Sequence, residues 1–352
     1  MTNPVATLNA SFDEAPLTLV RRRWQPGLLV LLLVAFVGLP WLGNDYWLNA
    51  ILIPFLVLSL AGLGLNLLTG YTGQTSVGAA GFMAVGAFAT YGLLLRVPGL
   101  PLALIGGGVI AGLVGLVFGI PSSRIKGFYL MVTTLAAQFF LEWVFAKFPW
   151  FYNYASSGTI SAPRLELFGH NLSTPVGRYL LTLSCVVLLT WVAVNLVRSQ
   201  VGRNWMAIRD MDTAAAVIGI PVERYKRMAF AVSSFYLGVA GALWAFAYLG
   251  TASASSFDIN RSFQILFIII IGGMGSIAGS FIGAAFISLT PILLSHAGLW
   301  LFNGNVDGGQ LQNLQKVLFG GLIVWFLIRE PEGLVRLLGD LRERIKAWPL
   351  RF

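Results

Sequence analysis

Trp47-Leu48-Asn49-Ala50-Ile51-Leu52-Ile53-Pro54-Phe55-Leu56-Val57-Leu58-Ser59-Leu60-Ala61-Gly62-Leu63-Gly64-Leu65-Asn66-Leu67-Leu68-Thr69 runs without a charged side chain. A helix crosses the hydrocarbon core of a bilayer with about 20 mainly apolar residues, and this stretch is long enough. Comparable runs recur at 27–43, 77–96, 101–120, 127–148, 178–197, 228–249, 263–288 and 311–328, with a shorter one at 290–302. Charged residues make up 11% of the chain and hydrophobic ones 57%. A soluble domain carries about 25% charged residues, so there are too few here to coat a water-facing surface. The expected fold is all-α: a polytopic transmembrane helical bundle of about ten helices, some broken or re-entrant.

Lys and Arg set the orientation, because short basic loops stay on the cytoplasmic side. Arg21, Arg22 and Arg23 hold residues 1–26 inside as an N-terminal tail. Arg124 and Lys126 mark a second inside loop. The segment 198–227, with Arg198, Arg203, Arg209, Arg224, Lys226 and Arg227, marks a third. The tail 329–352, with Arg329, Arg336, Arg342, Arg344 and Lys346, is also inside. The permease domain expected between the tails is 27–328, and both termini inside require an even number of crossings. Residues 149–177 then form an external loop, with Trp150, Phe151 and Tyr152 at the membrane interface. The N-terminus lacks a small-x-small cleavage site after its apolar stretch and reads as a retained helix.

The net charge of +9 is accounted for by these loops, so no nucleic-acid partner is expected; membrane lipid is. The single Cys185 allows no intramolecular disulfide and no cysteine metal cluster. His170 and His296 stand alone, so no metal site is expected. Glu142 and Lys147 read as a structural pair near the outer interface.

Glycine concentrates in two clusters, Gly70-Tyr71-Thr72-Gly73-Gln74-Thr75-Ser76-Val77-Gly78 and Gly272-Gly273-Met274-Gly275-Ser276 with Gly279. Small residues serve close helix packing. The same composition marks a broken helix, and irregular backbone at membrane depth occurs only beside protein or a water-filled cavity. Asn66, Gln74, Thr75, Ser76, Gly272, Gly273 and Gly275 are the candidate pathway-lining residues on that reading.

The internal segment 198–227 contains a short helix. Asp212 is the expected N-cap, Thr213 to Ile218 make under two turns, Gly219 suits the left-handed position beyond the end, and Pro221 stops continuation. So short a helix is marginal alone in water. It either docks on a cytosolic partner or packs against the inner face of this chain.

Thr213-Ala214-Ala215-x-x-x-Gly219 resembles the E-A-A-x-x-x-G loop by which ABC importer permeases engage their ATPases. The fuller stretch Ala207-Ile208-Arg209-Asp210-Met211-Asp212 through Gly219-Ile220-Pro221-Val222-Glu223-Arg224-Tyr225-Lys226 is similar to the branched-chain amino acid ABC transporter permeases, the longer of their two permease subunits. Gly62 to Gln74, Gly238-Val239-Ala240-Gly241-Ala242-Leu243 and Ile271 to Gly279 resemble further blocks of that family, in order, over most of residues 50–330. This chain departs from the pattern in two places. The leading Glu is Thr213, with the acid at Asp212, and the usual Gly-His step reads Gly78-Ala79-Ala80-Gly81.

The resemblance implies a permease subunit of an ATP-driven importer in the bacterial inner membrane. A homologous second permease, two cytosolic ATPases carrying ATP and magnesium, and an external solute-binding protein would complete it. Arg209, Asp210, Asp212, Thr213, Ala214, Ala215, Gly219 and Pro221 would be the ATPase-coupling residues. Leucine, isoleucine and valine are the family default as solutes, with urea, amides and other small solutes as alternatives. The chain has no G-x-x-x-x-G-K-[ST] phosphate loop, so ATP hydrolysis is expected in the partners. An ion-coupled transporter would place ionisable residues within the membrane, and few are present. An intramembrane enzyme would need Asp-rich pairs, Ser/His or His-Glu-x-x-His, and the sequence has none.

Overall fold

The computed structural model describes residues 32–42, 44–96, 99–122, 125, 127–161, 166–167 and 170–301, with short pieces between 313 and 337. The tail 1–26 with Arg21–Arg23, the basic pair Arg124 and Lys126, residues 162–165 and 168–169 of the external loop, and most of 311–328 and 329–352 lie outside the described residues. The chain divides into two units, Met1–Asn44 and Asp45–Phe352. In the first, a π-helical turn Val34–Gly38 runs into a short α-helix Leu39–Leu42.

The second unit is a helical bundle. A π-helical entry Trp47–Leu52 leads into α1 (Ile53–Thr72), followed by α2 (Ala79–Leu94), α3 (Leu100–Ser122), α4 (Phe128–Lys147) and α5 (Pro175–Arg198). Two shorter helices follow, α6 (Gln200–Asp210) and α7 (Asp212–Val217). Then come α8 (Val222–Leu243), prolonged by a π-helical segment Trp244–Leu249, α9 (Ile259–Gly272) and α10 (Ile277–Leu301). Among the described residues, seven helical segments are long and apolar enough to cross a membrane, and α2 is a shorter apolar helix. The fold is the all-α polytopic bundle expected.

α1 and α8 form the buried centre, with α8 packed on α1, α2 and α3. Glycine makes this possible: a methyl at Gly86 would overlap the backbone of Gly238, and one at Gly115 would overlap Ser234. Backbones this close gain dispersion contacts where apolar burial gives helices no preference over lipid. α3 turns Leu102, Ile105, Val109, Leu113 and Val117 outward, a stripe at helical spacing suited to lipid.

At the end of the bundle reached by the close of α8, the external loop contributes a strand β1 (Ile160–Ser161). It pairs antiparallel with β4 (Thr251–Ala252), and β2 (Glu166–Leu167) pairs with β3 (His170–Asn171). The expected external loop and the segment after α8 therefore share one end.

Three expectations change. The run 263–288 is not one helix: α9 ends at Gly272, the backbone turns through 273–276, and α10 takes in residues 290–301 of the run expected at 290–302. Gly273 (φ 124°) and Gly275 (φ 76°) carry that turn. The segment 198–227 is mostly helical. α6 was not expected there, because its residues are polar on one face and bury only Gly202, Asn204, Trp205 and Ile208 on the other. The Glu142–Lys147 pair does not form; the ion pairs among the described residues are Arg209–Asp210 and Lys226–Asp212.

Candidate coupling and pathway site

Both glycine clusters and the α6–α7 segment meet at one end of α1. Helix α1 ends at Thr72 because Gly73 takes a left-handed conformation (φ 70°), closing the last turn with its N–H on the Leu68 carbonyl. Residues 73–78 then run without helix, and all but Gly73 and Thr75 are buried. Helix α2 has 16 residues, about 24 Å at 1.5 Å per residue and short of a 30 Å core.

Other helices supply partners to the end of this irregular stretch and to the first turn of α2. Thr134 Oγ1 of α4 accepts from Val77 N–H at 3.1 Å, and Ser262 Oγ of α9 accepts from Ala80 N–H at 2.8 Å. Gln138 of α4 is fully buried. Its Oε1 accepts from Gly81 N–H and from Ser262 Oγ, while its Nε2 donates to the Phe257 carbonyl at 2.8 Å. Ser262 lies ten residues before Gly272, about 15 Å of helix at 1.5 Å per residue. Residues 73–78 therefore climb by about that distance through the interior.

The second break is held by one side chain. Asn66 of α1 is fully buried. Its Nδ2 donates to the Ser276 carbonyl at 2.8 Å and to Ser280 Oγ at 3.0 Å, and its Oδ1 accepts from Gly275 N–H at 2.8 Å. A methyl at Gly70 would overlap both the Asn66 amide and the Gly275 backbone, so the junction closes only with glycine there.

The α6–α7 segment fastens onto this junction. Trp205 is fully buried, and its indole N–H donates to the Tyr225 carbonyl at 3.1 Å. Arg209 Nη1 donates to the Gly70 carbonyl at 3.1 Å, with Asp210 Oδ1 on its other side at 3.0 Å. Gly275 is also within reach of the same guanidinium. Gln74 Nε2 donates to Thr72 Oγ1 at 3.0 Å and to the Lys226 carbonyl at 3.3 Å. Lys226 Nζ in turn meets Asp212 Oδ2 at 3.3 Å.

Asp212 is not the N-cap. Met211, in extended backbone, occupies that position, and Asp212 is already helical, so its carboxylate turns to the buried Lys226. The C-terminal end of α7 follows expectation. Gly219 (φ 90°) donates to the Ala216 carbonyl and Ile220 N–H to the Ala215 carbonyl, the paired bonds of a Schellman motif. Pro221 caps the next helix. Ala215 is buried, while Thr213, Ala214, Gly219 and Pro221 are exposed. So are Met211, Val217 and Ile218, three large apolar side chains at the two ends of α7.

The structure thus joins Asn66, Gly275 and Arg209 around Gly70, and Gln74 with Asp212 through Lys226. Ser76 is buried and turns back to its own segment, bonding Gly78 N–H, while Thr75 is half-buried. Gly272 and Gly273 are buried where α9 crosses α10. Sequence reasoning missed Lys226, Trp205, Ser280, Gln138 and Ser262. A lone amide such as Gln138 in an apolar run is the signal that could have found one of them. Among the described residues no group of His, Cys, Asp and Glu could hold a metal ion.

Residues 48–327 match the family described as the branched-chain amino acid transport system permease component. The chain is 29% identical over 336 residues to the high-affinity branched-chain amino acid transport system permease protein LivM of Escherichia coli, covering 87% of this chain and 74% of that protein. It is 30% identical over 305 residues to LivM of Salmonella typhimurium, covering 78% and 67%. It is 27% identical over 209 residues to a probable ABC transporter permease protein, y4mJ, of Sinorhizobium fredii, covering 57% and 62%. No solved structure matches the chain.

Proposed function

The chain belongs to the branched-chain amino acid transport permease family, and from that premise we propose that it is a membrane subunit of an ATP-driven importer for branched-chain or related amino acids. It lies in the bacterial inner membrane with both termini in the cytoplasm and forms the translocation pathway with a second, homologous permease. An external solute-binding protein delivers the solute. Two cytosolic ATPases, which bind ATP and magnesium, engage residues 203–223.

The observation that carries this reading is that Met211, Val217 and Ile218 stand exposed at the ends of the capped helix α7, in a segment whose Arg209 and Asp212 reach Gly70 of α1 and Lys226 of α8. Apolar residues on α3 can face lipid. Those on α7 sit amid Arg203, Arg209, Asp210, Glu223 and Arg224 in a water-facing segment, where large apolar side chains need a protein cover. Movement of α7 is passed by Asp212–Lys226–Gln74 to residues 73–78 and by Arg209 to Gly70 and the 273–276 turn. ATP binds one arrangement of the ATPases better than the other, and this chain converts that preference into a shift between inward- and outward-facing states.

Replacing Val217→Asp and Ile218→Asp together tests the reading. The altered chain is expected in the membrane with normal abundance, and co-purification of the ATPases is expected to fall about tenfold or more. Undiminished co-purification would remove the docking role.

A further inference from the structure

We propose that the C-terminal tail is a brake on the 273–276 turn, seated there through Gly333 and lifted when the ATPases close. The inference rests on the importer reading above, which supplies the ATPases, and adds a second input to the hinge they drive. Residues 333–337 are helical. Gly333 is buried, Leu334 and Val335 are half-buried and Arg336 is exposed, so one side of this piece rests on the protein. A methyl at Gly333 would lie 2.7 Å from both Cα and N of Gly273 and 2.8 Å from the Ile271 carbonyl oxygen. Its φ of 72° is also left-handed.

Both features require glycine. The atoms it meets are backbone, so no side chain can swing aside to admit a larger residue. The left-handed conformation is costly for a residue that carries a Cβ. Glycine also gives up more chain freedom than other residues when it is fixed, so a tail held by one is held at an entropic cost. What Gly333 reaches is the end of α9. That helix closes at Gly272, and Gly273 (φ 124°) opens the turn to α10. The seat is therefore on the hinge itself.

The turn is gripped from two sides by different parts of the chain. Gly275 N–H donates to Asn66 Oδ1, and the Arg209 guanidinium lies beside Gly275 while donating to the Gly70 carbonyl. Gly273, two residues earlier, carries the tail. Arg209 belongs to α6, in the segment proposed to engage the ATPases. A push arriving through Arg209 displaces Gly275 from its place relative to Gly333. Backbone packed on backbone has no side chain to follow such a displacement, so the contact is either made or lost. That gives the hinge two settings, which is what a switch requires. With the tail seated, α9 and α10 keep the angle seen here. With it lifted, they are free to change that angle under the ATPases.

The test uses the complete transporter in proteoliposomes, with its binding protein and radiolabelled L-leucine. Gly333→Ala is expected to raise ATP hydrolysis in the absence of binding protein about fivefold, and to lower the leucine carried per ATP by a similar factor. A contact that only stabilised the fold would change recovery and Tm and leave both ratios alone. In a second arm, Cys185→Ala removes the native thiol, and Met274→Cys with Leu334→Cys puts one thiol next to each side of the seat. A bis-maleimide with a reducible spacer joins them. Uptake is expected to fall to about a tenth and to return when the spacer is reduced. If Gly333→Ala is not recovered with its partners, the cross-link decides. Unchanged basal hydrolysis in Gly333→Ala, failure of the two thiols to be joined, or full uptake by the cross-linked complex each overturns the proposal and leaves the importer reading standing. A wild-type complex that purifies without ATPases overturns both.

Discussion

Residues 73–78 and 273–276 both interrupt helices, yet they are held in opposite ways. The first stretch is longer, and its Val77 N–H together with the first donors of α2, into which it leads, is shared among Thr134, Gln138 and Ser262 on two neighbouring helices. The second is a tight turn that depends on the single amide of Asn66 and on contact between glycines. Distributed support suits backbone beside a route, because it can keep its shape while one neighbour moves. A single clamp suits a hinge, because one side chain decides whether it is closed. Arg209 touches the carbonyl of Gly70 beside that clamp, so the α6–α7 segment reaches the hinge more directly than the route.

Substitutions at the two breaks should separate them. Asn66→Leu leaves the half-buried Gly275 N–H and Ser276 carbonyl and the buried Ser280 hydroxyl without this partner, at roughly 1–3 kcal/mol for a fully buried group. A loss of about 4 kcal/mol is expected. It would be read as a sharply lowered Tm of the detergent-solubilised complex. Gln138→Leu removes as many bonds, but Ser262 still holds Ala80 and Thr134 still holds Val77. About 2 kcal/mol is expected by the same measurement. A Gln138→Leu loss equal to that of Asn66→Leu would erase the distinction between shared support and a single clamp. Gly73→Ala is the mildest. It forces a side chain into the left-handed region, for about 1 kcal/mol, and crowds Arg209 Cγ. Its Tm should fall slightly while its uptake rate falls more, because Arg209 is the contact it disturbs. An unchanged uptake rate would separate Arg209 from coupling.

Much of this was legible in the chain. The six apolar runs from 47–69 to 228–249 fall within a few residues of the helices, because a membrane span must satisfy its backbone internally and so keeps one composition over its whole length. The capped turn at Gly219 was readable for the same local reason: only the left-handed conformation ends α7 there, and it is glycine that adopts it cheaply. The role of Asp212 was not. A cap and an ion pair use the same carboxylate, and Lys226, which wins it, is brought close by the packing of α6 and α7 against α8.

The sequence by itself determined that the chain is a ladder of membrane helices with a polar, capped segment between α5 and α8, since length, apolarity and turn chemistry are local properties. Where that ladder is broken, and what fastens the breaks, was decided by the tertiary structure. A glycine cluster is equally compatible with close packing and with interruption. Only the arrival of Asn66, Gln138 and Ser262 from distant helices gives the freed backbone its partners, and only the fold brings Arg209 to Gly70.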